Sequence, residues 1–91
     1  MPGCDLTLIN ARGLHARAAS KFVDVAKAYG CDVSLTVGDK TVDGKSIMAL
    51  LMLGAPVGSQ LQLETSGDEA DEALAALQAL VEAGFDELDE D

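Results

Sequence analysis

The residues best suited to chemistry lie together in the segment Gly13-Leu14-His15-Ala16-Arg17, which contains the only histidine of the chain. From Ala16 onward apolar residues recur at helical spacing, so this segment is predicted to be a loop that becomes a helix at the histidine. The start of a helix leaves backbone N–H groups without partners inside the helix. Ser, Thr, Asp and Asn, which usually accept these hydrogen bonds, are absent from residues 14–16. We therefore expect donors that no side chain occupies.

Such a helix start is typical of a site for an anion, because unfilled donors and the positive end of the helix dipole attract negative charge. Arg17 adds a guanidinium fork that suits phosphate oxygens. A neutral imidazole is nucleophilic near neutral pH, and after phosphorylation it would carry negative charge facing those donors. No second residue is placed to activate water, so the pattern favours reversible phosphoryl transfer over hydrolysis. From spacing alone, an ordinary capping or surface histidine and a solvated arginine remain open alternatives.

The elements around this segment follow alternating strand and helix patterns. Apolar and polar residues alternate over residues 4–9, which predicts a strand, and the helix that starts at Ala16 is expected to stop near Gly30. Residues 32–37 and 40–43 predict a hairpin across Gly38-Asp39. A short apolar helix is expected over residues 47–53, with Ser46 as its N-cap and Gly54 as its stop.

A fourth strand, over residues 60–64, is predicted to lead into the longest helix. Ser66-Gly67-Asp68-Glu69 matches a capping box. In this motif the Ser66 side chain would accept from the backbone N–H of Glu69, and the Glu69 side chain would accept from the backbone N–H of Ser66. Gly84 is expected to end the helix, and residues 86–91 to form a frayed acidic tail. Helical spacing predicts that the apolar face of this helix is formed by Ala70, Ala73, Leu74, Leu77 and Val81.

The resulting order is βαββαβα, in a single domain spanning residues 1–91. Strands with one polar face predict a largely antiparallel sheet whose other face the helices cover. The expected fold class is therefore an α/β (α+β) two-layer sandwich.

Composition and charge exclude several classes of function. The net charge is −10, but residues 1–45 contain all six basic residues and sum to +1, whereas residues 46–91 sum to −11. Nucleic-acid binding is not expected of such a chain, and the basic half instead suggests a docking face for an anionic group or an acidic partner. The longest apolar run, residues 47–53, is far shorter than the ~18 residues that cross a bilayer. With no signal-like N-terminus, we expect a cytoplasmic protein.

No metal or other cofactor is expected either. Cys4 and Cys31 are far apart in sequence and form no CxxC pair, so both are predicted to be reduced and structural. One histidine without clustered thiols does not make a metal site.

Two segments carry a resemblance to a known family. Gly13-Leu14-His15-Ala16-Arg17, with the residues that follow it, resembles the active-site segment of HPr, the histidine-containing phosphocarrier of the bacterial phosphotransferase system. Gly44-Lys45-Ser46-Ile47-Met48 is similar to the regulatory-serine segment of that family. The resemblance covers nearly the whole chain and includes the element order, and the two motifs stand at the family's separation.

The resemblance implies an open-faced sandwich of four antiparallel strands and three helices, and a carrier without turnover of its own. In the family the matching histidine accepts a phosphoryl group on Nδ1 from phosphorylated Enzyme I and passes it to a IIA protein or domain. His15 would be this acceptor, and Arg17 the charge that helps to hold and release the group. The family usually has proline after the arginine, where this chain has Ala18. A loss of about 0.4–1 kcal/mol of pre-organisation is expected from that difference.

Ser46 is expected to cap the short helix, and the resemblance implies that an HPr kinase/phosphorylase also phosphorylates it and so weakens docking to Enzyme I. A short surface helix is normally amphipathic, but residues 47–53 are apolar throughout. Part of this helix is therefore expected to be an exposed docking patch for partners, formed by Ile47, Met48, Leu51 and Met52.

Two alternatives to a carrier for sugar uptake stay open. One is a binding module on the same fold that regulates nitrogen or carbon metabolism through its phosphorylation state. The other is an unrelated ferredoxin-like domain that binds a small ligand and does not need His15. Nothing beyond the docking patch suggests more than a monomer.

Overall fold

The elements of the computed structural model, which describes residues 3–86, follow the predicted order. Four strands and three helices are followed by one short 3₁₀ turn at Gly84–Asp86. In chain order they are β1 (Gly3–Thr7), α1 (Ala16–Lys27), β2 (Asp32–Val37), β3 (Lys40–Asp43), α2 (Ile47–Leu53), β4 (Gln60–Ser66) and α3 (Ala70–Glu82).

The four strands form one antiparallel sheet in the order β1-β4-β2-β3. Alternation in the sequence sets the register, because Leu6 pairs with Leu61 and Leu35 pairs with Leu63, all on the same face. The predicted hairpin joins β2 to β3, with Val37 opposite Lys40 and Gly38 at φ +62° in the turn. The open-faced antiparallel sandwich expected from the sequence is confirmed.

The core lies between the apolar face of the sheet and the helices α1 and α3. Leu35, Leu61 and Leu63 from the sheet are fully buried, as are Phe22 of α1 and Leu77 of α3. Each such side chain contributes roughly 1.5–3 kcal/mol by leaving water. Phe22 fills the layer between sheet and helices, so Phe22→Ala is expected to cost about 3–5 kcal/mol. This core fixes the axis of α1, whose N-terminus carries the candidate site.

The ends of the first and last strands differ from the predicted ones. The first strand ends at Thr7 instead of residue 9, although Leu8 still exchanges backbone hydrogen bonds with the loop at Gly58 and Ser59. Gly58 has φ +88°, which breaks the regular ladder there. The last strand extends two residues beyond the predicted end, to Ser66.

The predicted capping box at α3 is wrong. The N-cap is Glu69 itself, which has φ +64° and makes no side-chain hydrogen bond to the helix. Its carboxylate instead accepts a hydrogen bond from the backbone N–H of Gly30, at 3.1 Å. The Glu69 carboxylate thus provides an acceptor for a backbone N–H in the turn after α1. Asp71 and Glu72, in the first turn of α3, place negative charge at the positive end of its helix dipole.

The segment after α3 is anchored to α1. Gly84 has φ +65°, as expected of the residue that ends the helix, and the following Phe85 is fully buried. The carbonyl of Phe85 accepts a hydrogen bond from the Lys21 ammonium at 2.6 Å. The predicted tail starts at residue 86, whose backbone belongs to the 3₁₀ turn, and residues 87–91 lie outside the described part of the chain.

Within residues 3–86, none of the helices combines the length and apolar character needed to span a membrane. The same residues contain no group of three or more His, Cys, Asp or Glu side chains placed to hold a metal ion. Cys4 and Cys31 are free thiols, and Cys31 is buried. Burial, together with the negative charges of Glu82 and Asp5, raises the pKa of the Cys4 thiol.

Candidate functional site

The loop that delivers His15 to the start of α1 is held tightly against the end of α2. Gly13 has φ +62°, and a side chain there would lie 2.4 Å from the Ala55 carbonyl oxygen, so only glycine fits. Leu14 is buried, and its backbone N–H donates to the same Ala55 carbonyl at 2.8 Å. The loop is therefore fixed one residue before the histidine.

His15 is the N-cap of α1, and its own ring makes the capping hydrogen bond. Its backbone is extended, with φ −91° and ψ −176°, and its Nδ1 accepts from the backbone N–H of Arg17 at 3.3 Å. The expectation that no side chain occupies the donors of this helix start is wrong for this N–H. The alternative of a capping histidine, which spacing alone left open, describes this contact.

This hydrogen bond assigns a state to the ring. Since Nδ1 accepts this hydrogen bond, it is assigned no proton, and the proton of the neutral ring is assigned to Nε2. His15 as a whole is half-buried. Nδ1 therefore lies beside the N–H groups at the positive end of α1.

The first turn of α1 carries positive charge and no negative charge. Its residues are Ala16, Arg17, Ala18 and Ala19, and the Arg17 side chain is exposed. The structure thus brings His15 and Arg17 together on one helix turn, as the sequence predicted. Ala18 and Ala19, which are fully buried, hold this turn against the core.

Ser46 caps the neighbouring helix α2, as predicted. Its Oγ accepts from the backbone N–H of Ala49 at 3.2 Å, and Gly54 ends the helix in the left-handed conformation. Helix α2 packs against α1, and the Ala55 carbonyl that holds the histidine loop follows directly after it. The end of α2 therefore lies beside the histidine loop.

The four residues predicted as a docking patch are all exposed. Met48 and Met52 are 68% and 79% exposed, and Ile47 and Leu51 lie at the surface to a smaller extent. Leu50, between them, is fully buried and holds α2 in the core. Contiguous exposed apolar residues often mark a site of protein contact, and methionine adapts to different partners. That partners dock on this patch remains a prediction.

One residue of the site was missed by the sequence analysis. Asn10 is fully buried, and its Nδ2 donates to the Gly13 carbonyl at 2.7 Å. The signal was present, because Leu6 and Leu8 alternate inward and the next inward position is an asparagine. A buried amide at the end of an apolar alternation indicates a specific hydrogen-bonding role.

Comparison with known proteins agrees with this geometry. A family profile described as "PTS HPr component phosphorylation site" matches residues 4–83. The chain is 52% identical to the phosphocarrier protein HPr of Pseudomonas aeruginosa over 88 residues, which cover 96% of this chain and 98% of that protein. It is 40% identical to the phosphocarrier protein NPr of Shewanella violacea over 82 residues, or 90% of each chain.

The fold is likewise similar to a solved structure. The crystal structure of HPr-C-His from Thermoanaerobacter tengcongensis superposes with a TM-score of 0.91 at 35% sequence identity. The match covers 94% of this chain and 97% of that one. Sequence and fold comparisons therefore indicate the same group of proteins.

Proposed function

Because the chain belongs to the HPr family, the phosphocarriers of the phosphotransferase system, we propose that His15 is the residue that accepts and donates the phosphoryl group. The family acts as a carrier and not as an enzyme with turnover of its own. The observation that supports the proposal best is the hydrogen bond from the Arg17 N–H to Nδ1 of His15. It leaves the Nδ1 lone pair unprotonated, at a helix start that favours an anion.

The chemical step needs only atoms that the two proteins supply. The Nδ1 lone pair attacks the phosphorus of the donor phosphohistidine, and an N–P bond forms while the donor's own N–P bond breaks. The proton on Nε2 stays in place, so no general base is required. The Arg17 N–H, which points at Nδ1, then becomes a donor to a phosphoryl oxygen.

Arg17 is assigned the role of stabilising the group in transit. Its guanidinium can offer two parallel hydrogen bonds to phosphoryl oxygens, and it stands on the first turn of α1, two residues after the acceptor. Positive charge placed where the transferring oxygens concentrate negative charge lowers the barrier in both directions. Because the barrier is lowered in both directions, the transfer is reversible, as a carrier requires.

Membership of the family implies partners from the phosphotransferase system. Here the donor is proposed to be phosphorylated Enzyme I, and the acceptor a IIA protein or domain. Both would dock in turn on the patch formed by Ile47, Met48, Leu51 and Met52, next to His15. The protein acts as a monomer in the cytoplasm under this proposal.

Ser46 is proposed as a second, regulatory phosphorylation site, modified by an HPr kinase/phosphorylase. Its Oγ lies at the start of α2, directly before the exposed Ile47 and Met48. A phosphate here would add negative charge to the docking patch and so weaken binding of an acidic partner.

The phosphoryl group serves sugar uptake or the regulation of nitrogen and carbon metabolism, according to which IIA protein receives it. The HPr of Pseudomonas aeruginosa matches 96% of this chain, and the NPr of Shewanella violacea matches 90%. The ligand-binding domain considered from the element order alone has no such support.

The test is phosphoenolpyruvate-dependent labelling by Enzyme I and magnesium, with His15→Ala as the variant. Wild-type protein is expected to gain one acid-labile phosphoryl group, and the variant none. Circular dichroism should show that the variant is folded, since loss of an N-cap costs only about 0.5–2 kcal/mol. Label on a folded His15→Ala protein would overturn the assignment.

A further inference from the structure

We propose that Asn10 is a positioning residue for phosphoryl transfer, which it serves by fixing the backbone that carries His15. This inference rests on the proposed role of His15 as acceptor. Asn10 is not expected to touch the phosphoryl group; it acts through the Gly13 carbonyl.

The burial of Asn10 is unusual for its residue type. It is fully buried, whereas the neighbouring Ile9, an apolar residue, is 45% exposed. Leu6 and Leu8 point into the core in alternation, and Asn10 takes the next inward position. An apolar side chain would fit this position by pattern, so the amide needs a specific reason to be there.

The hydrogen bonds of the loop supply that reason. The Asn10 side-chain amide donates to the Gly13 carbonyl oxygen at 2.7 Å, and the Gly13 N–H donates to the Asn10 carbonyl at 3.0 Å. The same Gly13 carbonyl also accepts from the backbone N–H of His15, at 3.1 Å. One oxygen therefore links the buried amide directly to the backbone of the acceptor residue.

The opposite side of the loop is already fixed. Gly13 lies against the Ala55 carbonyl, and the Leu14 N–H donates to it at 2.8 Å. Without the Asn10 amide, the Gly13 carbonyl loses its 2.7 Å hydrogen bond, and the peptide group between Gly13 and Leu14, still held through the Leu14 N–H, can tilt and shift the His15 backbone. The weakest contact downstream is the 3.3 Å bond from Arg17 N–H to Nδ1, so ring orientation is the first property to be lost.

The experiment compares Asn10→Leu and Asn10→Ala with a control, Thr65→Val. Asn10→Leu keeps most of the volume and removes the donor, which guards against collapse of the core. Thr65 is likewise buried, and its Oγ1 donates to the Ala70 carbonyl at 2.8 Å, at the start of α3. Thr65→Val thus removes a comparable buried hydrogen bond away from the histidine loop.

Two readouts are taken on folded protein: the rate of transfer from phosphorylated Enzyme I, and the ¹⁵N chemical shifts of the His15 ring without any donor. The transfer rate of both Asn10 variants is expected to fall about 10- to 100-fold, because misplacement of a reacting group slows a reaction by this order. Their ring nitrogens should show a smaller fraction of the Nε2–H form than wild type. Thr65→Val should match wild type in both readouts while it lowers the unfolding midpoint.

Transfer within about twofold of wild type in folded Asn10 variants would overturn the inference, as would an equal loss of rate in Thr65→Val. The ring shifts need no phosphoryl donor, so they test positioning even if His15 were not the acceptor. Failure of the proposed function would appear separately, as label on His15→Ala.

Discussion

The starts of α1 and α2 are each capped by a side chain, but by different chemistry. His15 caps α1 through Nδ1, at 3.3 Å from the Arg17 nitrogen, and Ser46 caps α2 through Oγ, at 3.2 Å from the Ala49 nitrogen. Neither first turn contains an acid. An imidazole nitrogen is a nucleophile without assistance at neutral pH, whereas a hydroxyl needs a base to activate it.

Under the proposed function, this difference would separate a residue that takes a phosphoryl group directly from one that needs a kinase. The residues beside the two caps differ in the same sense. Arg17 follows His15 and suits a transferring phosphoryl group, while exposed Met48 follows Ser46 and suits a protein surface. Under the proposed function, the first helix start would provide the chemistry and the second the contact with partners.

The largest effect short of removing His15 is expected at Arg17. Arg17→Ala should slow transfer from Enzyme I by about 10- to 100-fold, because one fixed charge near the transferring oxygens is lost. Arg17→Lys keeps the charge but not the guanidinium fork, so its transfer rate should fall between those of wild type and Arg17→Ala. Rapid-quench kinetics would measure both variants, and an unchanged rate for Arg17→Ala would return this arginine to the role of a solvated surface charge.

The next effect tests the role of α2 as a docking surface. Met48→Asp should weaken binding to Enzyme I by about tenfold, since it puts a charge at the centre of an apolar contact. Titration calorimetry with unphosphorylated proteins separates binding from chemistry. Ala75→Asp, which adds the same charge at an exposed position on α3, is the control and should bind as wild type does. Equal affinity for both variants would place the docking site elsewhere.

A smaller effect is expected at Ser46, where two substitutions separate structure from charge. Ser46→Ala removes the hydrogen bond to the Ala49 N–H and should cost about 0.5–2 kcal/mol of unfolding free energy with little change in transfer. Ser46→Asp can still cap the helix but adds negative charge, and should slow transfer by roughly three- to tenfold. If the two variants transfer at the same rate, charge at this position does not control docking.

The smallest effect concerns Ala18, which stands in the first turn of α1 and is fully buried. Ala18→Pro restores the residue that the family usually has there and should raise the unfolding free energy by about 0.4–1 kcal/mol, because proline restricts the unfolded chain. Transfer should stay within about twofold of wild type, since the ring of His15 is held by its own contacts. Chemical denaturation would measure the gain, and a loss of stability would show that the buried site has no room for the proline ring.

Local patterns were sufficient to predict most of the fold. Alternating residues predicted the four strands, and Gly38-Asp39, Ser46 and Gly54 predicted the hairpin and the bounds of α2, because each depends on neighbours in sequence. The capping box at α3 failed for the opposite reason. Glu69 bonds to Gly30, 39 residues earlier in the chain, and a tertiary partner of this kind leaves no local signal.

The candidate site shows the same division. The types and spacing of His15 and Arg17 were enough to predict an anion site, but not that the imidazole ring itself accepts the hydrogen bond from Arg17. That contact depends on the rotation of the ring, which the extended backbone of His15 and the fixed loop at Gly13 determine. The alternation of Leu6 and Leu8 could have indicated that Asn10 is buried, but its partner, the Gly13 carbonyl, is set by the turn of the chain.

The most direct test of the central claim is to identify the nitrogen that carries the phosphoryl group. Protein labelled with ¹⁵N in its histidine is phosphorylated with Enzyme I and phosphoenolpyruvate, and ³¹P and ¹⁵N spectra are recorded. We expect a single phosphoryl signal coupled to Nδ1 of His15, with a large shift of the Arg17 amide as it turns from the ring to a phosphoryl oxygen. Coupling to Nε2, or a phosphoryl group on another residue, would contradict the account.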